Sequence, residues 1–203
     1  QSVAIAKAGG TVKHIGAMNP ADKRYYDQLV ALNVDVSHLS MTDTATGHGI
    51  VMVDEQSAEN QIVVYPGANF VITEEMVDAG LGDATSSDWA LCQNETSQTD
   101  YFMKRAKDRG MNLCYSAAPF NAEKTLVMLP LINMLVVNEI EANDLERELN
   151  RPIKECGIDH VLVTLGSRGV RYIGLEGEFT LPSPAVDAID TTGAGDTFLG
   201  LFL

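Results

Sequence analysis

A run of small and polar residues late in the chain, Asp190-Thr191-Thr192-Gly193-Ala194-Gly195-Asp196, has the composition of an anion-binding loop. It follows a segment predicted to be extended, residues 185–189, and leads into an apolar run that can begin a helix. Two glycines around an alanine let successive backbone N–H groups point the same way, and amides at a helix N-terminus attract anions. Asp196 would then lie in the first helical turn, where its carboxylate could accept a proton from a hydroxyl that attacks a phosphate. The run predicts phosphoryl transfer with Asp196 as the general base.

Two commoner phosphate-binding patterns do not fit this run. The chain contains no GxxxxGK[ST] sequence, and the dinucleotide pattern GxGxxG fails because Phe198 stands where the third glycine would be. A purely structural interpretation, in which the glycines only end a strand, is also open. The acid at a fixed offset after the glycines, and the Asp-Thr-Thr before them, favour the anion-binding interpretation.

The elements that must position this loop follow an alternating order. Short apolar runs predict buried strands over residues 12–15, 89–92, 112–115, 134–137 and 160–164. Between them lie predicted helices over residues 21–32, 73–79, 100–109, 122–129 and 139–149. This order predicts an α/β fold, with a mostly parallel central sheet between two helical layers in a three-layer α/β/α arrangement.

One pair of β-rich runs interrupts the alternation. Residues 49–53 and 61–65 are joined by a polar segment, which predicts a hairpin spanning about 49–65. A hairpin outside the main order of elements can serve as a lid over a site. A plain edge hairpin is the alternative.

Composition narrows the class of protein. A chain of 203 residues is long enough for one hydrophobic core. The net charge of −14 argues against a nucleic-acid partner, whose phosphates require a basic surface. No apolar run is long enough for a membrane span and the first residues do not resemble a signal peptide, so we expect a cytoplasmic protein. In a reducing compartment, Cys92, Cys114 and Cys156 are expected to be unreactive core thiols.

Several motifs in the expected order resemble one enzyme family. Residues Asp190 to Asp196 match the DTxGAGD signature of the ribokinase-like (PfkB) carbohydrate kinases, and the chain is most similar to the members that act on ribose. Further matching segments are Gln1-Ser2-Val3-Ala4 (the tail of a GGKGANQ-type segment), Pro66-Gly67-Ala68-Asn69 after the hairpin, Gln93-Asn94-Glu95, Asn138-Glu139-Ile140-Glu141 (NxxE) and Val163 to Gly169 (the TLG loop). The resemblance implies ATP-dependent phosphorylation of the primary hydroxyl of a small sugar, D-ribose above all, to ribose 5-phosphate.

The resemblance also implies roles on the sugar side of the reaction. Asp196 would deprotonate the sugar hydroxyl, and the amides of Gly193, Ala194 and Gly195 would hold the transferring phosphoryl group. Glu95 would accept hydrogen bonds from sugar hydroxyls, although a solvated loop acid is the alternative. Gly49, on the predicted lid strand, would lie against the substrate.

On the nucleotide side, the resemblance assigns ATP contacts to Asn138, Thr164 and Gly166, and places Glu141 near Mg²⁺ through water. Mg²⁺ keeps several waters, so nearby Asn and Glu side chains suit it. Asn138 and Glu141 could instead be the N-cap and first-turn acid of the helix that they open, and both roles are compatible. Thr164 and Gly166 could be an ordinary strand end and turn.

Potassium and a partner subunit complete what the resemblance implies. A K⁺ ion would bind beside the anion-binding loop through Asp190 and the carbonyl of Thr192. Two copies of the chain could pair through their lids as a homodimer. Within the same family, a fructokinase-like or nucleoside kinase is the alternative activity. A non-catalytic sugar- or nucleotide-binding relative is another, but it would be expected to lose Asp196 or the glycines.

The chain departs from the family pattern at both ends and at two internal places. The Gly-Gly-Lys substrate segment would precede Gln1, and the adenine-binding loops would follow Leu203, so residues 1–203 are expected to be part of a family domain. The usual Gly-x-Asp pattern is altered near Met18 to Asp22. Residues 150–157 are too few for the helix that relatives carry there.

Overall fold

The computed structural model describes residues 1–53, 60–186 and 191–203. The chain divides into two units, each with its own internal contacts. The first unit comprises Gln1–Gly80, Thr96–Gln98 and Asp196–Leu203, and the second comprises Leu81–Glu95 and Thr99–Gly195.

The first unit joins the start of the chain to its last described helix. Its elements are α1 (Ser2–Lys7), β1 (Lys13–Met18), α2 (Lys23–Ala31), β2 (Asp35–Met41), β3 (His48–Val53), β4 (Asn60–Tyr65), α3 (Glu74–Gly80) and most of α7 (Ala194–Phe202). Strands β1 and β2 pair in parallel, and β3 and β4 form a separate antiparallel hairpin from His48↔Tyr65 to Val53↔Asn60. The predicted hairpin is confirmed to within one residue at each strand boundary, and its connecting residues 54–59 lie outside the described part of the chain.

Asn19 fixes the segment that leads into this hairpin. Its side-chain amide donates to the carbonyls of Thr42, Asp43 and Thr44 at 3.1–3.3 Å. Its backbone N–H donates to Oγ1 of Thr46 at 2.9 Å. Asn19 lies within the stretch where the family pattern is altered, and here it organises the chain just before β3.

Close packing of α1 against α7 is permitted by Gly200. A Cβ atom at residue 200 would lie 2.6 Å from the carbonyl oxygen of Gln1 and 2.7 Å from the Cβ of Ala4. Leu199 and Ala4 are buried beside this contact. The absence of a side chain at residue 200 therefore lets the two helices approach.

The second unit contains a six-stranded sheet. Its strands are β5 (Trp89–Cys92), β6 (Asn112–Ser116), β7 (Met134–Asn138), β8 (His160–Thr164), β9 (Val170–Gly174) and β10 (Gly177–Leu181), in the order β10-β9-β8-β7-β6-β5. Strands β5 to β8 are parallel, and β9 and β10 extend the sheet in antiparallel fashion. The prediction of a mostly parallel sheet is confirmed.

Three helices connect the parallel strands: α4 (Thr99–Asp108), α5 (Ala122–Met128) and α6 (Glu139–Leu149). Helix α4 packs on β5 and β6, α6 packs on β7 and β8, and α5 contacts both of these helices. The core between them is aliphatic and aromatic, with Leu113, Tyr115, Leu135, Leu145 and Leu162 almost completely buried. This rigid layer positions whatever follows the carboxyl ends of the parallel strands.

The sequence-based elements differ from the structure at several places. The predicted helix over residues 21–32 is a short 3₁₀ turn, Pro20–Asp22, followed by α2, because the side chain of Asn19 accepts a hydrogen bond from the N–H of Ala21 and Pro20 opens the turn. Four elements were not predicted: α1, β2, β9 and β10. Residues 150–157 contain only a 3₁₀ turn, Ile153–Glu155, which agrees with the expectation that this segment is too short for a helix.

Candidate active site

The predicted nucleotide and sugar residues follow the carboxyl ends of parallel strands. These strands end at Cys92, Ser116, Asn138 and Thr164, on the same edge of the sheet. In α/β sheets, ligands bind outside this edge, where loops and helix N-termini meet. The location fits a binding site built by the second unit.

Asn138 and Glu141 form a reciprocal cap at the start of α6. The N–H of Glu141 donates to Oδ1 of Asn138 at 2.9 Å, and the N–H of Asn138 donates to Oε2 of Glu141 at 2.7 Å. The structural role foreseen for this pair is thus present. Partial burial raises the pKa of Glu141, while the hydrogen bond from Asn138 opposes that shift.

Thr164 lies beside this cap. It is the register partner of Asn138 in the parallel pairing of β8 with β7. Gly166 follows in a 3₁₀ turn, Gly166–Arg168, at a backbone φ of +59°, which favours glycine. Arg168 from the same turn forms an ion pair with Glu139 on α6. The structure therefore brings Asn138, Glu141, Thr164 and Gly166 to two adjacent strand ends.

Glu95 is exposed in the loop after β5, and its neighbour Asn94 anchors that loop. Asn94 is 7% exposed; its N–H donates to the carbonyl of Ala118 at 3.0 Å, and its side-chain amide donates to the carbonyl of Pro119 at 2.9 Å. Its Oδ1 accepts a hydrogen bond from the buried hydroxyl of Tyr115 at 2.7 Å. Sequence reasoning missed this supporting role, for which the only signal was an Asn soon after a buried strand.

The anion-binding loop leads directly into α7. The helix begins at Ala194, whose N–H donates to the carbonyl of Thr191 at 3.1 Å, and Gly193 has a φ of +71°. Residues Thr191 to Gly195 are exposed. The first N–H groups of a helix have no acceptor within it, so this end of α7 suits an anion. Asp190 and residues 187–189 of the predicted extended segment lie outside the described residues.

Asp196 is a partly buried residue in the first turn of α7, as predicted. Its Oδ1 accepts a hydrogen bond from Nε2 of Gln1 at 2.8 Å. Gln1 had been noted only as part of a family motif, because no sequence pattern reveals a contact between residues so far apart in the chain.

The donor set determines how this site could hold a metal. Within residues 1–53, 60–186 and 191–203, no three His, Cys, Asp or Glu side chains are close enough to hold an ion together. The oxygens of Asn138 and Glu141 fit Mg²⁺ held through water and nucleotide phosphates rather than by a protein cage.

In the same described residues, no helix is long and apolar enough to span a bilayer.

Comparison with known proteins places these features in one family. The chain is 30% identical to the ribokinase of Haemophilus influenzae over 219 residues, covering 100% of this chain and 71% of that protein. The crystal structure of ribokinase from Thermotoga maritima matches 99% of this chain and 70% of that one, with a TM-score of 0.81 and 25% identity. A nucleoside kinase of Burkholderia thailandensis in complex with inosine matches with a TM-score of 0.85 and 20% identity, over 98% of this chain and 67% of that one.

The solved structures confirm the expected three-layer, ribokinase-like α/β/α fold class. The family model described as pfkB family carbohydrate kinase matches residues 1–203, the full span of the sequence. The chain belongs to the pfkB family of carbohydrate kinases.

Proposed function

We propose that this protein is an ATP-dependent phosphotransferase that phosphorylates the primary hydroxyl of a small sugar, with D-ribose as the preferred substrate and ribose 5-phosphate as the product. The observation that carries the proposal is the position of Asp196, in the first turn of α7 directly after Gly193, Ala194 and Gly195. A carboxylate beside an anion-binding helix start suits the transfer of a phosphoryl group to a hydroxyl.

In the proposed step, the sugar hydroxyl oxygen attacks the γ-phosphorus of ATP while the bond from that phosphorus to the β–γ bridging oxygen breaks. The hydroxyl proton passes to the carboxylate of Asp196, which acts as the general base. Negative charge on the outer oxygens of the moving group is stabilised by the amides of Gly193 and Gly195 and by the N-terminal end of α7, whereas the amide of Ala194 donates to the carbonyl of Thr191. ADP leaves with the electron pair of the broken bond.

The second unit would hold the nucleotide. Thr164 and Gly166 at the end of β8 line the proposed ATP position, and Asn138 lies next to Thr164 in the sheet. Mg²⁺ would neutralise phosphate charge when bound. The cap between Asn138 and Glu141 fixes both side chains, so their oxygens are preorganised to accept hydrogen bonds from its waters.

The sugar would be recognised by Glu95 and by the hairpin strand that carries Gly49. Asn94 is buried and triply hydrogen-bonded, so it holds the loop of Glu95 in place. Hydrogen bonds between protein groups and sugar hydroxyls discriminate between sugars, because an analogue that lacks a hydroxyl leaves a polar group of the protein unpaired.

The hairpin also supports a proposal about assembly. Its strands expose apolar side chains, among them Ile50 and Val63, each 56% exposed. We propose a homodimer in which two copies pair through these hairpins. Light scattering should give a molar mass of twice that of one subunit. The double variant Ile50→Lys/Val63→Lys should give the mass of a single subunit.

A nucleoside or fructose is the second candidate substrate. The same fold serves a nucleoside kinase, so the fold does not distinguish a free sugar from a nucleoside. The 30% identity to a ribokinase favours ribose.

The decisive experiment is to measure kcat/KM for ribose, 2-deoxyribose, fructose and adenosine with the full-length protein and ATP. Ribose should give the highest value. If kcat/KM for fructose or adenosine is about ten-fold higher than for ribose, which corresponds to about 1.4 kcal/mol of transition-state binding, that compound is the preferred substrate instead of ribose. Binding of sugar or nucleotide without turnover of any of these compounds would instead indicate a non-catalytic relative.

A further inference from the structure

The first unit holds the side chain of Gln1 against Asp196. Nε2 of Gln1 donates to Oδ1 of Asp196 at 2.8 Å, in a partly buried position. A primary amide donates without carrying charge, so it can orient a carboxylate without neutralising it as a lysine or arginine would.

The main-chain carbonyl of Gln1 has contacts with both α1 and α7. Its carbonyl accepts a hydrogen bond from the N–H of Ile5 at 3.0 Å within the first turn of α1. The same carbonyl lies only 2.6 Å from the place where a Cβ of Gly200 would be, so α7 packs directly on it. The helix that carries Asp196 and the residue that contacts its carboxylate are therefore held together by backbone packing.

We propose that Gln1 is a positioning residue for the general base. Its amide would keep the carboxylate of Asp196 in the rotamer that faces the attacking hydroxyl. The inference rests on the proposed function, since it assigns Gln1 to the reaction that Asp196 is proposed to catalyse. It requires that loss of the amide affects turnover far more than binding or folding, because small errors in the placement of a reacting group cost large factors in rate.

The test replaces Gln1 by Met, which has similar length and no amide donor, in the full-length protein. We expect kcat to fall about ten-fold or more, with KM for sugar and for ATP within about two-fold of the wild-type values. The matched control is Gln28→Met, the same substitution at an exposed position on α2 of the same unit. This control should retain wild-type kcat.

Two double-mutant cycles separate positioning from a general structural effect. In an Asp196→Ala background, Gln1→Met should cause no further loss of the residual turnover, because the group that it positions is gone. The Tm decrease of the double variant should likewise be smaller than the sum of the decreases caused by Gln1→Met and Asp196→Ala alone. This readout does not depend on activity.

Each outcome decides the proposal. An active wild type with unchanged kcat in Gln1→Met overturns the positioning role and leaves the proposed function standing. Equal losses of kcat in Gln1→Met and Gln28→Met, or additive effects in both cycles, also overturn the positioning role alone. A wild type without kinase activity on any sugar or nucleoside overturns both.

Discussion

Gln1 and Asp196 are 195 positions apart in the sequence, and a hydrogen bond of 2.8 Å joins their side chains. The contact connects the start of α1 to the first turn of α7 within the first unit. The carboxylate proposed as the general base thus depends on two remote parts of the chain. Substitutions near Gln1 should be considered together with those in the Asp196 motif.

Replacing Asp196 by Asn should leave ATP affinity nearly unchanged and reduce kcat by about 10²–10⁴-fold, the usual contribution of a general base. The amide keeps the shape of the side chain but cannot accept the proton of the hydroxyl. Steady-state kinetics and nucleotide titration provide the measurements. Asp27→Asn, at an exposed position on α2, serves as the control, and a variant at residue 196 with more than about a tenth of wild-type kcat contradicts the assignment.

Gly200→Ala should destabilise the protein even though Ala favours helices by about 1 kcal/mol over Gly. The new Cβ would lie 2.6 Å from a backbone oxygen, which cannot rotate away as a flexible side chain could. Overpacking of this kind costs about 1–3 kcal/mol, so we expect a net loss in the free energy of unfolding, and a lower kcat because α7 carries Asp196. Denaturant titration measures the first effect. Leu201→Ala, at the exposed neighbouring position, should show neither.

Glu141→Gln should raise stability at neutral pH, and its advantage over the wild type should shrink on acidification. Burial raises the pKa of Glu141 above its ordinary value. The contribution of the Glu141 side chain to stability is therefore full at pH below the unfolded pKa. It is lost as pH rises through the folded pKa. Gln does not ionise, and its carbonyl can still accept the hydrogen bond from Asn138. Thermal unfolding at about pH 4 and about pH 7 tests this.

The control for this pH dependence is Glu148→Gln, at an exposed position on the same helix. The Tm change that it causes at each pH gives the baseline for replacing Glu by Gln on this helix, and Glu141→Gln should exceed this baseline at about pH 7. If Glu141→Gln behaves in the same way, burial of the Glu141 carboxylate has no energetic consequence.

Potassium should raise kcat or tighten ATP binding by about five-fold or more, a typical coupling between two sites. A cation near Asp190 and the Thr192 carbonyl would hold the loop before α7 and offset nearby carboxylates. The measurement exchanges K⁺ for a bulky organic cation at constant ionic strength, and Asp190→Ala should abolish the response. Full activity in the absence of any monovalent metal ion rules the ion out.

The cysteines should be unreactive in the folded protein. Burial raises the pKa of Cys92 from 9.0 to about 12, which lowers its thiolate fraction about 1,000-fold. Burial also raises the pKa of Cys114 and Cys156. A chromogenic thiol reagent at about pH 8 should therefore label all three cysteines quickly only after unfolding in denaturant. Fast labelling of the native protein would show that a thiol is accessible and ionised.

The parallel strands of the second unit were predictable because they are continuous apolar runs. Strand β10 was not, since all of its residues are exposed and no hydrophobic pattern marks it. Strand β2 was missed because it mixes polar and apolar residues and buries only Val36. Neither pattern distinguishes these strands from loops.

The candidate site likewise has features that the sequence could predict and features that it could not. Motif spacing was sufficient to place Asn138, Thr164 and Asp196 at strand and helix ends. The hydrogen bonds that support the site were not predictable. Asn94 accepts one from the hydroxyl of Tyr115, and Asp196 accepts one from the amide of Gln1. Both contacts arise from tertiary packing between segments remote in sequence.

The segment after α6, residues 150–157, lies apart from the candidate site. Helix α6 ends at Leu149, and its C-cap Asn150 has a left-handed conformation. The N–H of Ile153 donates to Oε1 of Glu146 at 2.8 Å, and the N–H of His160, at the start of β8, donates to the carbonyl of Asn133. All of this lies at the amino ends of the parallel strands, away from Asn138 and Thr164. An inserted domain, a reporter tag or new chain termini at residues 150–152 would thus alter the margin of the sheet remote from the proposed nucleotide-binding residues.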